Sequence, residues 1–242
     1  MTIKIAYLYY NLLNLYGENG NIKVLKKSLE NQGINVIVKF IDITDNLEFD
    51  SYDLVYMGSG NYEAIEFIIE RLKIYKKEIK DYIEKKKFFL VTGNSLDIFS
   101  KYIIKNNKKI KGLDIFNYFV KIEDINFLDK SLFKSNLIDE EIIGFQKRNS
   151  LIFENDNYFF DTIEGIGSNV LTDKEGIHYK NFYGTYLIGP FLIRNPYFLI
   201  WFLKKLILSK DQNFIFKDFN LNFEKQAYFN YLNYNYGIIK SE

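Results

Sequence analysis

Phe88-Phe-Leu-Val-Thr-Gly-Asn-Ser95 is the stretch whose reading decides the fold. Phe88–Val91 is apolar without alternation, as a strand buried on both faces requires, and Thr92-Gly-Asn-Ser95 reads as a turn into a helix predicted over Leu96–Ile104. The same unit recurs upstream. Residues 3–10 form a β-rich apolar run, a polar loop carries Asn14, Tyr16, Asn19 and Asn21, and Ile22, Leu25 and Leu29 follow at helical spacing. Gly33 is placed to end that helix, Val36–Ile41 reads as a second strand, and Asp53–Met57 runs into Gly58-Ser-Gly60. Strands alternating with helices predict a mostly parallel α/β sheet with right-handed crossovers, whose ligands sit at the carboxyl ends of the strands.

Downstream, the charged stretch Tyr62–Lys87 carries Ile65, Ile68, Ile69, Leu72, Ile79 and Ile83 on a helical period, as one long helix or two short ones. Its Lys-rich end, Lys73–Lys87, is interspersed with Glu and Asp and reads as a solvated face. Between about 112 and 190 the pattern changes to short β-like runs, Ile115–Ile122, Glu141–Phe145, Ser150–Phe153 and Tyr158–Phe160, which predict antiparallel strands. Pro196–Ser209 reads as a helix with Pro near its start, whereas the aromatic, Asn-rich last thirty residues give no clear assignment. With only two prolines and no linker-like segment, a single domain is expected.

The composition removes several function classes. The 242 residues are 48% hydrophobic, enough for a substantial core, and 32 basic residues against 31 acidic ones leave no field to gather nucleic acid or an anionic membrane. There is no Cys and only one His, His178, so no disulfide, thiol nucleophile or His-rich metal site is expected, and no cofactor. The start lacks a secretory pattern and the longest apolar run, Tyr197–Leu203, is too short for a bilayer, so a cytoplasmic protein with no membrane span is expected.

Several segments, in order, carry a family resemblance. These are Asn11-Leu-Leu-Asn-Leu-Tyr-Gly-Glu-Asn-Gly-Asn-Ile22, Met57-Gly-Ser-Gly60, Phe88 through Tyr102, Gly144-Phe-Gln-Lys-Arg-Asn-Ser150, Glu175 through Asn181, and Gly184-Thr-Tyr-Leu-Ile-Gly-Pro190. Together they resemble the GatD-like branch of the CobB/CobQ-like class I glutamine amidotransferases over roughly residues 1–205. The resemblance implies a flavodoxin-like three-layer α/β fold with a mostly parallel central sheet and extra antiparallel strands in the second half. It places an amidotransferase domain at 1–205 and a C-terminal extension packed on it at 206–242.

In that family a Cys attacks the glutamine amide, a His moves protons and backbone amides hold the oxyanion. The resemblance puts Gly93 at the Cys position and Ile188 at the His position, so the chain is expected to be a pseudoenzyme. Thr92 and Ser95 offer hydroxyls nearby, but His178 lies outside the catalytic motif. Gly58, Ser59, Gly60, Asn94 and Arg148 are candidates for a vestigial pocket holding glutamine or another small amino acid. Gly58-Ser-Gly60 reads equally as a tight turn, and Lys147-Arg148 as a surface turn. The Asn14–Asn21 loop is either partner-facing or occupied with turn and capping chemistry, and Arg194 belongs to a loop or helix start. The family partner is a MurT-like Mur ligase, which amidates the D-glutamate of the peptidoglycan stem of lipid II. Three functions follow as expectations: a partner subunit without glutaminase activity, a small-molecule sensor, or an active glutaminase with a displaced nucleophile.

Overall fold

The computed structural model describes residues 1–239. Its elements in chain order are β1 (Thr2–Leu8), α1 (Asn19–Asn31), β2 (Asn35–Ile41), β3 (Leu54–Met57), α2 (Tyr62–Leu72), α3 (Lys76–Glu84), β4 (Phe88–Thr92), β5 (Tyr102–Lys105), β6 (Lys108–Lys111), β7 (Phe119–Lys134) and β8 (Ile142–Phe153). These are followed by β9 (Phe160–Glu164), β10 (Lys174–Glu175), β11 (Ile177–Tyr179), β12 (Phe182–Thr185), α4 (Phe191–Arg194), α5 (Pro196–Leu208) and α6 (Asn222–Tyr236).

The central sheet has the order β11-β12-β4-β3-β1-β2 and is parallel except for β11 against β12. Side chains alternate across it because the pleat has a period of two. Ile3, Ile5 and Tyr7 of β1, with Leu54, Tyr56, Phe88 and Leu90, pack against Ile22, Leu25 and Leu29 of α1 and Phe198, Phe202 and Leu206 of α5. Ala6, Leu8, Val55, Met57, Phe89 and Val91 face the opposite way, onto Ile65, Ile68 and Leu72 of α2 and Ile79 and Ile83 of α3. Three layers result, and the expected α/β class is the one observed. A second sheet, β10-β9-β7-β5-β6 with β8 on β7, is antiparallel apart from the short β5–β7 pairing.

Several boundaries differ from the sequence reading. The helix predicted over Leu96–Ile104 is a 3₁₀ turn over Gly93–Phe99, followed by strand β5. It stops where the Ser100 hydroxyl bonds back to the Asp97 carbonyl at 2.7 Å, and Tyr102-Ile-Ile then enters the second sheet. Tyr62–Lys87 forms two helices joined by a 3₁₀ turn at Lys73–Tyr75. The runs Glu141–Phe145 and Ser150–Phe153 are one strand, β8, paired with a β7 of 16 residues that a bulge interrupts between Ile122 and Phe127. Polar residues concealed the continuity of both, exposed ones in β7 and, in β8, the buried Gln146, Arg148 and Ser150. The C-terminal segment without an assignment contains α6, whose Tyr228 and Leu232 pack on Leu132 and Ile143, while residues 240–242 of the expected extension lie outside the described residues. Among the described residues, no helix is long and apolar enough to cross a membrane.

Candidate functional site

Three chain turns converge at the carboxyl ends of β1, β3 and β4. They are the loop through Tyr16 and Glu18, the turn Gly58-Ser59-Gly60, and the turn that begins at Gly93. Gly93 has φ of +65°, a left-handed conformation that a side chain strains. A Cβ placed on it would lie 1.7 Å from Ser59 Oγ and 3.3 Å from Ile188 Cγ2. The space beside the strand end is thus filled by the Ser59 hydroxymethyl group and walled by a buried aliphatic side chain.

The Gly-Ser-Gly turn is pinned from two sides. Asn94 Nδ2 donates to the Gly60 carbonyl at 2.7 Å and Asn94 Oδ1 accepts from Gly60 N at 3.1 Å, so the amide clamps both backbone polar groups of one residue. Ser95 Oγ donates to the Gly58 carbonyl. On the far side, a Cβ on Gly58 would meet Glu18 Cβ at 2.8 Å and the Leu13 carbonyl at 2.4 Å, which makes glycine the residue that fits. Glu18 is fully buried; Tyr16 N donates to its Oε2 at 2.8 Å, and burial raises its carboxyl above the ordinary value. Ser59 Oγ lies against that carboxyl, and neither it nor Glu18 Oε1 makes a hydrogen bond of good geometry.

A cavity of about 200 Å³ opens beside this turn, lined in part by Tyr16, Ser59, Gly60, Asn94, Lys147 and Arg148. It is smaller than the pockets that take drug-sized ligands. The cations on its wall are Lys147, which is exposed, and Arg148, which is buried. Arg148 lies in the middle of β8, which corrects the surface-turn alternative. Its guanidinium donates to Gln146 Oε1 at 2.8 Å and to the carbonyls of Ser150, Gly167 and Ser168, and stacks 4.1 Å from the Tyr186 ring. Burial lowers its pKa, and these neutral acceptors hold the charge.

Behind the cavity stands a group of charges. Tyr186 OH donates to Asp97 Oδ1 at 2.6 Å, and Tyr62 OH donates to Asp97 Oδ2 at 3.0 Å. Tyr186 N donates to Glu175 Oε1 at 2.7 Å and Thr185 Oγ1 to Glu175 Oε2 at 2.9 Å. Burial pushes Asp97 up to about 6 and Glu175 up to about 7, against the lowering effect of these hydrogen bonds and of Arg148.

Of the residues expected to form a pocket, Ser59, Gly60, Asn94 and Arg148 line the cavity, whereas Gly58, against Leu13 and Glu18, and Gly93 and Ile188, against Ser59 and each other, are buried and do not line it. Thr92 Oγ1 lies 2.8 Å from Tyr56 OH, so both nearby hydroxyls, Thr92 and Ser95, are occupied. His178 stacks on Tyr183, its Nε2 lying 3.1 Å from the Lys180 carbonyl oxygen on the edge of the sheet. The asparagines of the first loop do internal work. Asn14 Oδ1 accepts from Asn19 N at 2.9 Å, and Asn21 bridges Tyr56 OH, the Gly189 carbonyl and Leu192 N. Arg194 is exposed at the end of α4. Glu18, Asp97, Glu175 and Tyr186 were not anticipated; their only signal was an acid in an otherwise apolar or glycine-rich context, which does not separate a buried acid from a solvated one.

The sequence profile of the CobB/CobQ-like glutamine amidotransferase domain matches residues 4–196. Two relatives are both named lipid II isoglutaminyl synthase (glutamine-hydrolyzing) subunit GatD. The protein of Streptococcus pneumoniae (strain ATCC BAA-255 / R6) is 30% identical over 197 residues, 80% of this chain and 76% of the relative. That of Staphylococcus aureus (strain N315) is 28% identical over 226 residues, 93% of each chain. Among solved structures, PurLQS from Thermotoga maritima superposes with a TM-score of 0.55 at 13% identity, covering 86% of this chain and 99% of the other. A glutamine amidotransferase from the same organism gives 0.51 at 12%, covering 94% and 91%. These two support the fold alone. On the domain match and the relatives together, the chain belongs to the CobB/CobQ-like glutamine amidotransferase family, in its GatD-like branch.

Proposed function

We propose that this chain is a GatD-like subunit without glutaminase activity that serves as partner to a MurT-like Mur ligase in the amidation of lipid II. One observation carries the reading. The strand-end position Gly93, where the family resemblance places the nucleophile, has its side-chain space filled by Ser59 Oγ, and the position across from it, Ile188, is a buried aliphatic group. Acyl transfer needs a nucleophile and a base within hydrogen-bond reach, and this pair supplies neither. The relatives' names motivate lipid II as the substrate and the role of a subunit, and the ligase partner is the one that the family resemblance implies.

Co-expression with the Mur-ligase-like protein of the same cell tests it. The expected result is a stable complex that amidates lipid II with ammonium and releases no glutamate from glutamine. Glutamine-dependent amidation accompanied by glutamate would overturn it, and so would failure of the two chains to associate.

A second reading is favoured by the cavity itself, which has the dimensions of a small metabolite and carries Lys147 and Arg148 on its wall. It makes the chain a sensor of a small amino acid. A thermal-shift panel of amino acids checks this, since a ligand at a hundred times its Kd stabilises by about 2.7 kcal/mol. A displaced nucleophile finds less support, because the Thr92 and Ser95 hydroxyls are engaged by Tyr56 and the Gly58 carbonyl.

A further inference from the structure

The charges behind the cavity have a composition that the amidation reading does not use. Tyr186 is their hub: its hydroxyl holds Asp97 from the turn after β4, its backbone N–H holds Glu175 of β10, and its ring lies under Arg148 of β8. Arg148 makes no ion pair with either acid, and its hydrogen bonds go to the Gln146 side chain and to backbone carbonyls. The other groups facing this cluster are Tyr62 of α2, Tyr118 before β7, Asp129 of β7, Ser150 of β8 and Thr185 of β12. Asp129 approaches only the guanidinium, and its carboxyl is already bonded by Ser131 Oγ at 3.0 Å and Ile166 N at 2.8 Å. Buried and with no second cation facing them among the described residues, two carboxylates beside one guanidinium leave a negative charge that water cannot screen.

We propose that Tyr186 and the three charged side chains around it form a proton-operated latch on the Thr185–Ile188 segment, tight when one of the carboxyls is protonated and loose when both are ionised. The geometry gives the route. Ionising the second carboxyl leaves a net negative charge in the buried cluster, which opening the segment relieves by admitting water. The bonds of Tyr186 N–H, Tyr186 O–H and Thr185 Oγ1 to the two carboxyls and of Ile188 N to the Phe145 carbonyl are the holds that opening must break. The same cluster contributes Arg148, Ser150 and Tyr62 to the cavity wall, so loosening it changes the cavity as well. Such a latch is independent of whether the cavity takes an amino acid or whether a ligase docks.

Hydrogen exchange on the full chain tests it, comparing the wild type with Glu175→Gln at the same pH so that intrinsic exchange rates cancel. The two proteins are expected to protect residues 183–190 equally at pH 5.5. At pH 8 the wild type is expected to open these residues several-fold more often, by up to about tenfold per pH unit of a single titration. Equal protection at both pH values would overturn the latch, as would a Glu175→Gln protein that opens like the wild type at pH 8. If that variant does not fold, protons taken up on folding can be counted for the wild type at pH 7 in buffers of different ionisation enthalpy. About one proton supports the latch, and none overturns it.

Discussion

Ser59 and Gly93 make one steric unit. A Cβ at Gly93 would overlap the Ser59 hydroxyl and would also have to adopt φ near +65°. Gly93→Ala is therefore expected to lower stability by about 1–3 kcal/mol, read as a shift of the urea midpoint. Adding Ser59→Gly should recover part of that loss, because only the overlap is relieved and the backbone strain remains. The non-additivity of the double mutant is the informative quantity. Equal losses in the single and double mutants would contradict the overlap. The sequence showed Gly93 in the strand-end turn and, through the family resemblance, the missing Cys and His, but gave no hint that Ser59 had taken the space. A side chain 34 residues away enters a site only through the fold.

At the scale of elements, Asn195 joins α5 to the second sheet. Its Oδ1 accepts from Ile143 N and its Nδ2 donates to the Ile143 carbonyl, both at 2.8 Å, and Nδ2 also reaches the Phe191 carbonyl at 2.9 Å. Asn195→Ala should cost about 1–3 kcal/mol, since it leaves buried backbone groups without partners. Asn195→Asp should do no better, because a carboxylate cannot supply the donor. Denaturant unfolding of the two variants checks the order. The parallel sheet was legible here because unbroken apolar runs such as Phe88–Val91 and Val55–Met57 have little alternative to burial on both faces. The β7–β8 pair was legible only in fragments. Exposed Asp124 and Asn126, in the stretch where β7 loses its register against β8, and exposed Lys147 read as loops, and only the pairing on either side of that break shows one strand. The turn after β4 failed for a different reason, since a short helical period cannot distinguish α from 3₁₀.

For the whole molecule, the buried acids fix how stability responds to pH. In the unfolded chain Asp97 and Glu175 titrate near 4. In the fold they titrate at about 6 and about 7. The native state thus binds more protons across that interval, so stability should fall as pH rises from about 4 to about 7 and level off above. Asp50 and Glu84 are shifted the opposite way by Lys85 and Lys180, but they are exposed and screened, so their contribution is small. Urea midpoints measured across pH 4–8, for the wild type and for Glu175→Gln, check the direction; the variant should show a flatter curve. A midpoint that climbs with pH would contradict the buried charge balance. The filled turn at Gly93 also bears on how a nucleophile could be installed there. A thiol introduced by a single codon change would collide with Ser59, so the first step toward one is destabilising and a second substitution at position 59 has to accompany it.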